Sequence, residues 1–267
     1  MKPKLFMCVM TNNIELITPN WCAPPGVHAC TTTRLGGVSA APFHTLNLAT
    51  HVQDAPPSVI ENRRRLKAAL ALPAEPFWLN QVHGTTVANP QNGALPDADA
   101  AFTDQPDTVL AILTADCLSV VFARKDGGEI AAAHAGWRGL AAGILEATLA
   151  KFSAPPDQIA VWLGPAIGPA FFEVGEEVRD AFVRRHPADA AGFTPSPIPG
   201  KYQADLFQLA RLKLLRAGVR AISGGGRCTF SESDRLFSYR KDQGHTGRMA
   251  TLIWRSEDGS PLQPAQA

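Results

Sequence analysis

The chain has no Cys-X-X-Cys pair, no His-X-His pair and no His-Glu-X-X-His stretch among its five cysteines and seven histidines. The first absence removes a closed structural zinc site of the ribbon type, and the last removes a zincin helix. Cys8, Cys22, Cys30, Cys117 and Cys228 are odd in number and scattered, which is no disulfide framework. A bound metal would therefore have to be held by residues distant in sequence. A block of basic residues is missing too. Lys and Arg total 25 against 24 acidic residues, a net charge of +1. Neither nucleic acid nor an anionic membrane is the expected partner of such a chain. Long apolar runs are also lacking. "VLAILTADCLSVVFA" is broken by Asp116 and too short to cross a bilayer. "LFMCVM" near the start runs straight into "TNN" and is too short for a signal-peptide core. The expected location is cytoplasmic.

What is present reads as an ordinary globular chain of 267 residues, 45% of them hydrophobic, without internal repeats. A single domain over 1–267 is expected, with a core from about 14 to 255 and frayed ends on either side. "AGFTPSPIPGKY" (191–202) is the one long loop expected. "DAPPSVIENRRRLKAALAL" opens with prolines suited to a first helical turn and carries Val59, Leu66 and Leu70 on one face. "VLAILT", "LSVVFA", "EIAAAH" and "IAVWLG" read as buried strands, "LFSYR" and "ATLIW" as closing strands. From Gly139 a helix is expected, because Ala141, Leu145, Leu149 and Phe152 recur at helical spacing. "GEEVRDAFVRRH" reads as another helix. "ADLFQLARLKLLRAGV" reads as a further one, with Asp205 to cap it and Gly218 to end it. The mixture is α/β or α+β.

Two features carry chemistry. "TADC" sets Asp116 and Cys117 inside an apolar segment, where an unpaired carboxylate would be costly. His83 in "NQVHG" and His134 in "AAAHAGWRG" each follow a strand-like run and precede a permissive turn, and His51 lies in "LNLATHVQD". On one reading Cys117 is a small buried hydrophobe and His134 a satisfied strand-end residue. If the segments converge, His83, Cys117 and His134 make a three-ligand metal site with one position open, and Asp116 orients a ligand imidazole or holds a bound water. The same atoms would serve as a Cys117 nucleophile with His134 as its base. Spacing alone leaves the choice open. Among the arginines, Arg34 in "TTTRLGG" and Arg248 in "HTGRMA" suit anion contact; Arg63 and Arg64 sit on a helix, Arg138 abuts the "HAGW" turn, and Arg240 precedes "KDQGHTG". "SGGGRC" (223–228) offers backbone amides but lacks the ending of a P-loop.

"TTTRLGGVS", "FHTLNLATHVQD", "NQVHG", "DADAAFT", "TADCLSVV", "AAAHAGWRG", "GPAIGPAFFEVGEEV" and "LFSYRKDQGHTGRMATLIW" follow in order over about 14–255. This set resembles the YfiH-like family, also called peptidoglycan editing factor and formerly multicopper polyphenol oxidoreductase or laccase-domain proteins. The resemblance implies a single-domain α/β/β/α sandwich with mixed sheets, akin to the cytotoxic necrotizing factor catalytic fold. It implies a purine nucleoside phosphorylase acting on adenosine, inosine and methylthioadenosine, with adenosine deaminase activity. Carried over by motif, the metal ligands fall on His83, Cys117 and His134, with Zn2+ favoured over copper. Cys117, His134 and Asp116 become the expected catalytic groups, and Arg34, Asn47, Arg64 and Arg248 the expected substrate and phosphate contacts. The expected partners are a purine nucleoside and phosphate. Ser119 departs from the family's usual proline and Gln53 from its frequent glycine. One His2Cys set suits a single copper, whereas a laccase needs many more imidazoles than this chain groups together. The alternatives are a Cys117/His134 amide or peptide hydrolase acting on peptidoglycan precursors, and a non-catalytic binding protein.

Overall fold

The structure is a computed structural model and describes residues 8–11, 14–93 and 97–256. In chain order the elements begin with strands β1 (Cys8–Thr11), β2 (Ile14–Ile17) and β3 (Val27–Thr32), then helix α1 (Pro56–Ala69). Strands β4 (Val87–Ala88), β5 (Ala100–Thr103), β6 (Leu110–Thr114), β7 (Leu118–Arg124) and β8 (Ile130–Ala135) follow. Next come α2 (Trp137–Ala142), α3 (Ile144–Leu149), β9 (Ile159–Leu163), β10 (Glu173–Gly175) and α4 (Glu176–Val183). The chain continues through β11 (Phe193–Pro195), β12 (Lys201–Ala204), α5 (Leu206–Arg216), β13 (Ala221–Gly224) and β14 (Met249–Arg255).

Two large sheets form the body. The five-stranded sheet runs β1-β2-β3-β14-β6 and the six-stranded sheet β13-β9-β7-β8-β5-β4; a small third sheet is β10-β12-β11. The five-stranded sheet is antiparallel throughout, while β13 against β9 and β4 against β5 are parallel pairs in the other. Side-chain alternation sorts the layers. Leu110 and Ile112 of β6, Ile253 of β14, Val121 of β7, Ile130 and Ala132 of β8 and Trp162 of β9 meet between the sheets. The opposite faces turn outward. Ala111, Leu113, Leu252 and Trp254 pack with Leu66 and Ala69 of α1. Val120, Phe122, Ala131 and Ala133 pack with Leu140, Leu145, Val178 and Leu214 of the other helices. The order is helix, sheet, sheet, helix, as the resemblance implies.

Asp205 caps α5 by accepting from the Gln208 amide at 3.0 Å, and Gly218 follows it at φ 101°, as read from the sequence. Other expectations need correction. The helix from Gly139 is two short helices: Gly143, at φ 109°, ends α2 and begins α3. Its apolar face is nonetheless right, since Ala141, Leu145, Leu149 and Phe152 are all buried. The supposed loop at 191–202 contains β11 and the first two residues of β12, because β12 also gains a backbone partner in β10, outside that window. "LFSYR" is irregular rather than a strand. Leu236 and Phe237 are fully buried, but the Arg240 amide donates to the side chain of Asp116 instead of to a neighbouring strand. Order also begins earlier than Ile14, since β1 pairs with β2, Val9 opposite Leu16. The expected fraying after Arg255 falls almost wholly outside the described residues. Among the described residues, no helix is long and apolar enough to cross a membrane.

Candidate metal centre and cavity

Strand β6 belongs to one sheet and β7 to the other, so Ala115, Asp116 and Cys117 carry the chain across the gap between them. The crossing needs a tight turn, and Asp116 adopts φ 85°, a region few side chains enter without compensation. Compensation comes from its carboxylate, which accepts from Thr229 Oγ1 at 2.5 Å and from the Arg240 amide at 2.7 Å. Cys117 therefore immediately precedes β7, one step before the pair Leu118–Ala135, and lies beside Gly136. His134 pairs with Ser119 on the same two strands. His83 arrives from a loop at φ 62°. That loop is clamped to β6 by Gln81, whose amide donates to the Leu113 carbonyl and accepts from the Leu113 amide, both at 2.8 Å, imitating a strand pair.

One buried carboxylate organises both histidines. Asp99, fully buried, accepts from Nδ1 of His134 at 2.7 Å and from the backbone amides of Val82, His83 and Gly84 at 3.1, 2.9 and 2.6 Å. The Nδ1 contact directs His134 Nε2 toward Cys117. The ligating atoms of His83, Cys117 and His134 all lie within 4.8 Å of one another. A tetrahedral ion with bonds of about 2.0–2.3 Å needs its ligand atoms roughly 3.3–3.8 Å apart, so small side-chain adjustments suffice. Gly136 completes the cradle: a Cβ there would stand 2.9 Å from Cys117 Sγ and 3.1 Å from His83 Cδ2. A thiolate and two imidazoles are the donor set that zinc favours, and a single His2Cys set can also take copper.

The charges agree with that use. Burial opposes ionisation of the Cys117 thiol, but His134 and His83 beside it prevail and lower its pKa. Burial likewise disfavours the His134 cation, yet Cys117 and Asp99 raise its pKa. Burial works to raise the pKa of Asp99, and its bonds to His134, Gly84 and His83 reverse the effect and lower it. A deprotonated sulfur facing imidazoles is what a metal requires, and also what a thiol nucleophile requires.

The three residues line a cavity of about 430 Å³. Leu113, Ala115, Trp137, Ile167, Phe172, Leu206 and Tyr239 give it apolar and aromatic walls, while His51, Arg138, Arg240 and Arg248 add polar groups. Burial lowers the His51 pKa, with Arg248 and Arg63 adding to the effect.

Residues 28–256 match a family described as multi-copper polyphenol oxidoreductase laccase. The chain is 51% identical over 242 residues to the purine nucleoside phosphorylase YfiH of Escherichia coli, covering 90% of this chain and 98% of that one. To a purine nucleoside phosphorylase of Haemophilus influenzae it is 46% identical, covering 90% and 99%. The crystal structure of YlmD from Geobacillus stearothermophilus superposes with a TM-score of 0.84 at 35% identity, covering 96% of this chain and all of that one. The chain belongs to the YfiH family. A Neisseria meningitidis crystal structure is likewise similar, with a TM-score of 0.87 at 47% identity over 90% of this chain and 99% of that one.

Against the site residues expected from the YfiH resemblance, the structure brings His83, Cys117, His134 and Arg248 to one cavity and sets others apart. Asp116 lines it but touches neither imidazole; Asp99 does the orienting expected of Asp116. Arg34, 6% exposed, is spent on the fold: it donates to the carbonyls of His44 at 3.0 Å and Ser233 at 2.7 Å. Arg64 is exposed on α1 and paired with Glu61 at 2.7 Å. Asn47 lies behind the wall, where its Oδ1 accepts from the Arg248 amide at 2.9 Å and its Nδ2 donates to Asp54 at 2.9 Å. Asp99 was not singled out in its own right from sequence. The signal was there, a carboxylate between alanines in "DADAA", on the same reasoning that drew notice to Asp116.

Proposed function

We propose that the chain is a zinc-dependent purine nucleoside phosphorylase acting on adenosine, inosine and methylthioadenosine, with adenosine deamination as an accompanying activity. The observation that carries this reading is the convergence of His83, Cys117 and His134 on an aromatic-walled cavity. The activity named for its 51%-identical relative supports it. In phosphorolysis a phosphate oxygen bonds to the ribose C1′, the C1′–N9 bond breaks, and its electron pair leaves with the purine, which takes up a proton. Trp137, Phe172 and Tyr239 give the flat base apolar surfaces to lie against. Asp99 keeps His134 and the turn at His83 aimed at one point, and Gly136 leaves that point clear. A zinc ion there would supply Lewis acidity and would lower the pKa of a bound water. Deamination adds water at the purine C6 and expels ammonia within the same enclosure.

Among the described residues one side-chain group of metal-holding composition occurs. That composition supports a single-metal enzyme over multicopper oxidation of polyphenols, since a laccase needs further copper ligands. The cytoplasm, which supplies nucleosides and phosphate, is the location that suits the reading.

Zinc-loaded protein given inosine and phosphate is expected to release hypoxanthine and ribose 1-phosphate in equal amounts. Adenosine is expected to yield adenine by phosphorolysis and inosine by deamination. Cys117→Ala is expected to lower each rate by at least 100-fold. No hypoxanthine from the zinc-loaded wild type would refute the reading.

One observation favours a second reading. Cys117, His134 and Asp99 stand in the order nucleophile, base and orienter, with the last contact at 2.7 Å. A thiol amide hydrolase acting on peptidoglycan precursors would keep full activity in excess chelator. The zinc enzyme would lose activity there and regain it on adding metal.

A further inference from the structure

We infer that Arg248, Arg138 and Arg240 form an anion subsite in this cavity and that its occupant is inorganic phosphate. The occupant's identity rests on the phosphorolysis reading; the subsite itself rests on charge and geometry.

The three arginines line the cavity, and among the described residues no carboxylate lies within ion-pair distance of any of them. Arg34 and Arg64 differ: Asp242 stands 3.9 Å from the first and Glu61 2.7 Å from the second. The cavity's one carboxylate is Asp116, and both of its oxygens are engaged by Thr229 and the Arg240 amide. Three guanidinium groups against Asp116 and the Cys117 thiol leave an excess of positive charge in a partly enclosed space, which favours a multiply charged anion.

Arg248 is fixed in place. Its Nη1 donates to the carbonyls of Thr246 at 2.8 Å and Gly247 at 3.0 Å, and its guanidinium lies 5.6 Å from the Tyr239 ring. Asn47, fully buried, holds its backbone amide at 2.9 Å. Nε and Nη2 have no partner among the described residues, which leaves one edge of the planar fork for two phosphate oxygens. Arg138 rests on the Trp137 ring at 4.4 Å with no hydrogen-bond partner among the described residues. Arg240 lies 5.5 Å from the Phe172 ring, its guanidinium held loosely by the Phe171 and Glu173 carbonyls at 3.3–3.4 Å. Thr114, on the same wall, has a buried hydroxyl without a partner among the described residues. Asn47 thus acts through Arg248, as a positioning residue behind the wall.

Isothermal titration of inorganic phosphate into the zinc-loaded protein tests the subsite without turnover. Arg248→Ala is expected to weaken binding at least tenfold and Arg138→Ala at least threefold, while Arg64→Ala binds as wild type does. Arg248→Lys, which keeps the charge but not the fork, is expected to fall between, and serves if the alanine variant does not fold. Unchanged affinity in the folded Arg248 variant, or a loss in Arg64→Ala, would overturn the assignment. Inosine 5′-monophosphate that binds through Arg248 while inorganic phosphate does not bind at all would also overturn it. Phosphate binding that depends on Arg248 in a protein releasing no hypoxanthine would uphold the subsite and remove the phosphorylase reading.

Discussion

The carboxylate of Asp99 lies 2.7 Å from Nδ1 of His134, and the same Oδ1 accepts the His83 amide at 2.9 Å. One buried group thus aims one metal-competent imidazole and shapes the turn that presents the other. Replacing it by Asn keeps the size but removes the charge and gives the imidazole a donor to face. Outer groups of this kind are worth about 10–100-fold in metal affinity. Asp99→Asn is expected to weaken zinc binding by that order in competition with a chelating dye. Equal affinity in the variant would mean that His134 is oriented by something else.

Gly136 makes a second test of the cradle. Its φ of −59° would suit alanine, so any effect is steric rather than conformational. The added methyl would meet Cys117 Sγ at 2.9 Å and His83 Cδ2 at 3.1 Å, and neither can retreat without leaving the group. Gly136→Ala is expected to keep its circular dichroism spectrum while bound zinc falls below half of the wild-type content. Full zinc occupancy in the variant would show that the ligands meet elsewhere.

Arg34 and Arg248 are expected to separate stability from binding. Removing the Arg34 guanidinium strips the His44 and Ser233 carbonyls of a charged donor in two part-buried hydrogen bonds, a loss of roughly 1–3 kcal/mol. Arg34→Ala is expected to unfold at lower denaturant yet bind phosphate like wild type. A variant of unchanged stability but weakened phosphate affinity would return Arg34 to the site.

Cys30 sets an alkaline limit. It is fully buried in β3, and burial pushes its pKa up to about 12 from an ordinary value of 9.0. Between those values the folded state keeps the proton and the unfolded chain releases it. Stability is therefore unaffected below about pH 9 and falls as pH rises from there toward 12. From pH 8 to pH 10 the loss due to this group is on the order of 1 kcal/mol. In denaturant titrations, wild type is expected to lose that much more than Cys30→Ala over the interval. Equal losses in the two proteins would contradict the assignment to Cys30.

Much of this is legible in the amino-acid sequence. Buried strands show as apolar runs, and Cys117, His83 and His134 stand out because their polar chemistry interrupts such runs. What stayed hidden was whatever depends on partners distant in sequence. "AGFTPSPIPGKY" looks like loop by its prolines, and becomes β11 and the start of β12 because Glu173–Gly175 supplies a ladder. "LFSYR" looks like a strand by its side chains, and is none because its Arg240 amide goes to Asp116. Arg34 and Arg248 each lie within two residues of a glycine, and nothing local tells that one braces two loops while the other faces the cavity. Asp116 drew notice by lying beside Cys117, whereas Asp99 reaches His134 from 35 residues away.

X-ray absorption at the zinc edge, on protein purified with its metal, reports the ligands themselves. One sulfur at about 2.3 Å, two imidazole nitrogens at about 2.0–2.1 Å and one further light atom are expected, at one zinc per chain. Loss of the sulfur shell in Cys117→Ser would complete the match. A zinc shell without sulfur, or a wild-type protein that takes up no zinc, would leave His83, Cys117 and His134 without their assigned role.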